Sequence, residues 1–160
     1  MLSIRILALG KIKEAYLREG VAEYAKRFTT LAHLEIIELA DEKVPDRPST
    51  AIIERIKEVE GQRLINAIHT DEYVITLDAQ GIQLSSQQLA DKIAQLTLNG
   101  FSKLSFIIGA SYGLSAQVLR RANFCFSCGA LTFPHQLMRL ILIEQLYRAC
   151  KINRGETYHK

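Results

Sequence analysis

No stretch of this sequence approaches the ~20 consecutive apolar residues of a membrane-spanning helix, which excludes a helical membrane protein. The first apolar segment, Leu2 to Leu9, is too short for a signal-peptide core with its flanks, and Arg5 interrupts it. The expectation is a cytoplasmic protein. There are three cysteines, an odd number, which argues against a disulfide framework. Cys125 and Cys128 have CxxC spacing, but no second CxxC or HxxxH exists to complete a four-ligand zinc site. Their segment also reads as a strand, where residues three apart point to opposite faces. No metal is therefore expected. The first strand ends in Ala8-Leu9-Gly10-Lys11, with one glycine where a dinucleotide-binding or class I methyltransferase fold wants a G-x-G-x-x-G run.

What is present is an ordinary apolar content of 48% in 160 residues, enough for one core. The expected organisation is a single domain over residues 1–160, with a short basic tail over 151–160. The formal charge of +3 is mildly basic and permits a nucleic-acid partner without requiring one. Arg148, Lys151, Arg154 and Lys160 crowd the end of the chain against one acid, Glu156. The plain reading of that run is a solvated basic tail.

Periodicity alternates between strand and helix along the whole chain. Strands are expected over Leu2–Leu9, His33–Leu39, Tyr73–Asp78, Lys103–Ile108 and Asn123–Cys128. Helices are expected over Glu14–Phe28, from a cap at Ser49 or Thr50 to about Ile68, from Ser85 or Ser86 to about Leu98, over Ser115–Ala122 and over Pro134–Cys150. Gly61 interrupts the second helix, implying a bend or a close approach. The fourth strand is nearly all apolar, as a central strand should be. Such an α/β alternation implies a parallel sheet with helices on both faces and ligands beyond the carboxyl ends of its strands. The loops to inspect are Asp78 to Gly81, Gly109 to Gly113 and Gly129 to Pro134. All three lie late in the chain.

Gly109-Ala110-Ser111-Tyr112-Gly113 matches the G-x-S-x-G nucleophile elbow between a strand and a helix. After Ser111 the acids are only Glu144 and Glu156, and the histidines His135 and His159. A serine triad would need its acid inside a helix and its base at the chain terminus. The simpler reading is that the glycines let backbone approach a ligand. Thr132-Phe133-Pro134-His135 enters the last helix, with proline where the first-turn amides lack partners anyway.

Taken in order, Leu7-Ala8-Leu9-Gly10-Lys11, Glu60-Gly61-Gln62-Arg63, Val74-Ile75-Thr76-Leu77-Asp78, Ile107-Ile108-Gly109, Leu131-Thr132-Phe133-Pro134-His135, Glu144-Gln145-Leu146-Tyr147-Arg148-Ala149 and Tyr158-His159-Lys160 resemble the bacterial ribosomal RNA large-subunit methyltransferase H family of the SPOUT superfamily. The resemblance covers the whole chain. It implies an α/β domain whose C-terminal segment forms a trefoil knot, an exception to the rule against knots. It also implies a homodimer that transfers methyl from S-adenosylmethionine to N3 of a pseudouridine in 23S rRNA, on the assembled ribosome. By motif, the cofactor pocket would be Leu77, Gly109, Ala110, Gly129, Ala130, Leu131, Thr132, Phe133 and Pro134.

The chemistry suits those residues. Adenine needs apolar walls and backbone hydrogen bonds, and Leu77, Leu131 and Phe133 stand among loop backbone. The acceptor is an imide N–H that must lose a proton, so a base near neutral pKa or a cation beside the developing anion would help. His135, Arg148 and His159 are the candidates for that work, with Tyr158 beside them. Two other readings stay open: a serine hydrolase built on Ser111, and an RNA-binding module whose basic tail holds phosphates.

Overall fold

A computed structural model describes residues 1–158 and forms a five-stranded parallel sheet in the order β2-β1-β4-β3-β5. The strands are β1 (Ser3–Leu9), β2 (His33–Leu39), β3 (Tyr73–Gln83), β4 (Lys103–Ile108) and β5 (Phe124–Ser127). The helices are α1 (Ala15–Arg27), α2 (Thr50–Ala67), α3 (Ser86–Leu98), α4 (Ala116–Arg121) and α5 (His135–Asn153). The nearly unbroken apolar run of β4 sits at the centre, paired with β1 on one side and β3 on the other.

Strands β1 to β4 feed two cores, and β5 adds Phe124 and Phe126 to the first of them. Ile4, Ile6, Ile75 and Phe106 pack with Leu17, Ile93, Leu142 and Leu146 beneath α1, α3 and α5. Leu7, Leu9, Val74 and Ile107 pack with Leu64 and Val118 beneath α2 and α4. The period of two along β1 to β4 thus serves opposite layers, and each fully buried Leu or Ile contributes about 1.5–3 kcal/mol. Arg5, the charge inside β1, is nearly buried and bonds Glu72 at 2.5 Å, Glu35 at 3.2 Å and the Ala67 carbonyl at 3.1 Å.

The caps are local. Ser49, Ser85 and Ser115 accept backbone N–H bonds from Ile52, Gln88 and Val118, at the starts of α2, α3 and α4. Gly61 does not bend α2, which runs unbroken from Thr50 to Ala67. It serves close approach instead: a methyl there would lie 2.2 Å from the Ser115 Oγ.

Two boundaries depart from expectation. β3 does not stop at Asp78. It bulges and rejoins β5, so that Leu77 and Ile82 both pair with Phe126, and Gln83 pairs with Ser127. Asp78 closes the bulge by accepting the Gln80 N–H at 2.8 Å. Gly81 lies so close to the partner strand that a Cβ would meet the Phe126 backbone at 2.5 Å. α5 likewise runs a turn past Cys150, because Ile152 joins the core and Asn153 donates to the Ala90 carbonyl at 3.0 Å. The residues after it, 154–157, are exposed, as a solvated tail should be, but two contacts hold the segment. Lys151 pairs with Glu156, and Arg154 donates to the Thr30 carbonyl. Lys160 and His159 lie outside the described residues. No helix of the described chain is long and apolar enough to cross a membrane.

Candidate functional site

The carboxyl ends of β3, β4 and β5 open into a cavity of about 320 Å³. Leu77 and the bulge residues Asp78, Ala79 and Gln80 come from β3, Gly109 and Ala110 from β4, and Gly129, Ala130, Leu131, Thr132 and Phe133 from the loop after β5. His135 and Met138 enter from the first turn of α5. Eight of the nine residues expected for the cofactor line this space. The ninth, Pro134, caps α5 just behind it.

The loops are tight for stated reasons. Gly113, at φ 81°, donates its N–H to the Ala110 carbonyl at 3.0 Å and closes the turn after β4. A Cβ on Gly109 would lie 3.0 Å from the Gly113 backbone, so that position must stay bare. Among the described residues Arg47 is the one non-glycine with positive φ, so Ala110 sits in ordinary backbone. Gly129, at φ 122°, is held by the Ser127 hydroxyl, which accepts its N–H at 3.1 Å and donates to its carbonyl at 3.0 Å. Leu131 stands 77% exposed at the rim, an apolar side chain with a ligand-facing place and little else to bury it.

His135 is half-buried, and burial holds its imidazole below the ordinary value of 6.5. Arg139 and Lys13 push the same way, and Asp41 opposes them. The ring is therefore neutral at pH 7 and able to accept a proton. Arg139, one turn further along α5, is 2% exposed and locks the helix to the sheet. It donates to the Leu9 and Gly10 carbonyls at 2.6 and 2.8 Å, and to Glu38 at 2.9 Å. Cys128 lines the cavity, and burial pushes its thiol up, away from reactive thiolate. Cys125 does not line it.

The proton-transfer candidates are not together in one chain. Arg148 is 13 positions beyond His135 on α5, and a rise of ~1.5 Å per residue puts it about 20 Å away. There it bonds Glu144 at 2.6 Å and lies over the Tyr158 ring at 4.9 Å. That ring stacks edge-on against Tyr147 at 5.0 Å. Burial pushes the Tyr158 phenol up to about 12, with Tyr24 and Glu144 adding to the shift, so it stays protonated. His159 lies outside the described residues. The serine-triad arrangement fails on geometry. Ser111 lacks the strained positive φ, and Glu144 is engaged by Arg148, Gln145 and Tyr158.

Some lining residues were not foreseen. Asp78, Ala79 and Gln80 read in sequence as a loop, and only the bulge brings them to the cavity. Met138 follows His135 by three positions, so helical spacing alone pointed to it.

Residues 2–159 match the family described as "Predicted SPOUT methyltransferase". The chain belongs to the SPOUT methyltransferase family. It is 53% identical over 159 residues to "Ribosomal RNA large subunit methyltransferase H" of Carboxydothermus hydrogenoformans, covering 99% of this chain and 100% of that protein. It is 49% identical over 159 residues to the protein of the same name from Enterococcus faecalis, again at 99% and 100% coverage. Among solved structures, a probable methylase family protein from Haemophilus influenzae shares the fold at 15% identity. The TM-score is 0.53, covering 98% of this chain and 70% of that one. As a SPOUT methyltransferase the chain needs a methyl donor as well as an acceptor.

Proposed function

We propose that this chain transfers a methyl group from S-adenosylmethionine to N3 of a pseudouridine in 23S rRNA, on the assembled ribosome and as a homodimer. The observation that carries this reading is the convergence of the three late loops on one cavity beside a neutral His135. Full-length relatives bearing the large-subunit rRNA methyltransferase name support the choice of substrate.

The residues fit the cofactor. The cavity is within the range of small-molecule sites, with apolar walls at Leu77, Leu131 and Phe133 and loop backbone between them. Gly109 lets the turn after β4 close tightly, with the Gly113 backbone 3.0 Å from where its Cβ would stand. When bound, the cofactor supplies a methyl group already activated by its sulfonium. The chain's remaining work is to bind, orient and remove one proton. His135 accepts the N3 proton. With the cofactor bound, the deprotonated N3 would be the nucleophile for that methyl group, and the demethylated cofactor would leave as a neutral thioether.

Arg148 and Tyr158 enter this reading through the dimer. They form one stacked unit about 20 Å from His135 along α5, so they act on a substrate held there only from the partner subunit. A trefoil threading of the C-terminal segment belongs to the same reading. It would account for a ligand site built wholly from residue 77 onward.

Titration calorimetry with S-adenosylmethionine and its demethylated product tests the cofactor, and methyl transfer to ribosomes tests the reaction. Absence of binding would remove the reading. Deleting Tyr158–Lys160 should keep fold, dimer and cofactor affinity while transfer falls by orders of magnitude. Mixing that deletion with a Gly109→Val subunit should restore transfer in the mixed dimer. No restoration would confine each site to one chain.

A further inference from the structure

Ala110 and His135 line a second cavity as well as the first. This cleft holds about 680 Å³, and most of its other walls come from the first half of the chain. They are the Gly10–Lys13 turn after β1, the Asp41–Val44 loop after β2, and Glu60 of α2, with Tyr112 at the lip. Ala110 and His135 are thus the partition between two spaces. A molecule in the cleft meets His135 directly beside whatever fills the cofactor cavity.

The walls are braced. Glu60, 4% exposed, accepts the Glu42 N–H at 3.0 Å. Arg63 donates to the Ala40 carbonyl at 2.9 Å and to the Glu42 carboxylate at 3.1 Å. Together they pin the loop after β2 to α2. The opposite turn is held by Gln136, which accepts the Lys13 N–H at 2.9 Å, and by Arg18, which donates to the Lys13 carbonyl at 2.8 Å.

The charges divide unequally. Glu38 is paired with Arg139 and Glu42 with Arg63, while Asp41, exposed, and Glu60, which accepts the Glu42 N–H, line the cleft with no ion pair among the described residues. Lys11, Lys13 and Lys43 are exposed, and among the described residues none of them is in an ion pair. Three exposed ammonium groups thus face the carboxylates of Asp41 and Glu60, the second inclined by burial toward its neutral form, which leaves a small positive excess at the rim and a tyrosine ring, 39% exposed, at the lip. Ammonium groups suit phosphates, and an exposed ring suits the face of an unstacked base.

We propose that this cleft receives one RNA nucleotide extruded from its stack, with Lys11 and Lys43 on the flanking phosphates, Tyr112 against the base, and the base edge brought to His135 at the partition. This rests on the methyl-transfer reading above and adds to it where the acceptor lies. An enzyme that acts on a base atom inside a folded RNA must take that base out of its stack, and the cleft is the braced space next to the methyl donor.

The test is methyl transfer to ribosomes by K11A/K43A, K11R/K43R, Y112A and Y112F, with cofactor affinity measured by calorimetry on each. Each lost phosphate contact lowers the slope of log affinity against log salt by about 0.7, so the alanine pair should lose about 1.4. At 0.1 M salt that corresponds to a KM for ribosomes raised roughly 25-fold. The arginine pair should recover most of this, Y112F should act as wild type, and Y112A should raise KM alone. Cofactor Kd should stay within about twofold throughout. An unchanged KM and salt slope in K11A/K43A, or a loss of cofactor binding in the same variant, would overturn the assignment. Failure of the wild type to methylate ribosomes would instead refute the functional reading beneath it.

Discussion

Replacing Gly61 by alanine tests how closely α2 and α4 are fitted behind the loops proposed to hold the cofactor. A methyl at position 61 would lie 2.2 Å from the Ser115 Oγ and 3.0 Å from its Cβ, both far inside contact distance. Ser115 is 5% exposed and caps α4 through the Val118 N–H at 3.3 Å, so its hydroxyl has nowhere inexpensive to turn. Alanine gains about 1 kcal/mol of helix propensity. Against that stand a lost cap at about 1 kcal/mol and overpacking at about 1–3 kcal/mol. The net expectation for Gly61→Ala is a loss of about 1–3 kcal/mol. Ser115→Gly alone should cost only a few tenths, because glycine is tolerated at a cap. The double variant removes both clashing atoms and keeps the propensity gain, so it should return to wild-type stability or slightly above. The coupling between the two sites should be about 2 kcal/mol, read from urea unfolding at fixed protomer concentration. Cofactor affinity should follow the same pattern, since Ser115 stands two positions after Gly113, the end of the Gly109–Gly113 turn. Additive losses, or a Gly61→Ala chain more stable than wild type, would refute the packing argument.

Gly81→Ala should place a Cβ 2.5 Å from the Phe126 backbone, open the β3 bulge and weaken S-adenosylmethionine binding in calorimetry as well as stability. His135 is held below 6.5 chiefly by burial, so the unfolded chain takes up its proton first as pH falls. Stability from this group is complete above about 6.5 and is lost as pH drops through the folded value, and denaturation of His135→Gln should lack that acid-side loss. In the active enzyme the acid limb of kcat/KM should lie below 6.5 and vanish, with most of the rate, in His135→Gln. Ser111→Ala should retain most methyl transfer, because its backbone is unstrained and Glu144 is committed to Arg148; loss of transfer with unchanged cofactor affinity would show a role for that hydroxyl.

Much of this was legible because it is written locally. The three serine caps, the central apolar strand and the late glycine-bearing loops follow from neighbouring residues. Alternation of strand and helix announced a parallel sheet but carried no information on strand order, which depends on which apolar edges meet. The bulge in β3 was hidden because Asp78-Ala79-Gln80-Gly81 reads as a turn, and only the pairing of Gln83 with Ser127 makes it part of a strand. Arg139 gave no sign of its work, since the carbonyls it holds belong to Leu9 and Gly10, at the far end of the chain. His135, Arg148 and Tyr158 looked like one cluster because they are close in number. A helix between them keeps them apart in space.

The position of β1 sets a condition on how the chain reaches its native state. β1 is paired with β2 on one edge, but its other edge waits for β4, with Ser3 opposite Lys103. Closing a loop of about 100 residues costs about 4 kcal/mol in chain entropy before any contact rewards it. A nascent chain that has emerged only as far as α2 therefore holds β1 with a bare edge, and the face it shares with α1 lacks its second cover, α5, which is made last. Folding should be slow for the chain's size and late in synthesis. Chains interrupted before α5 should fail as templates for aggregation-prone strand pairing rather than persist as partly active fragments.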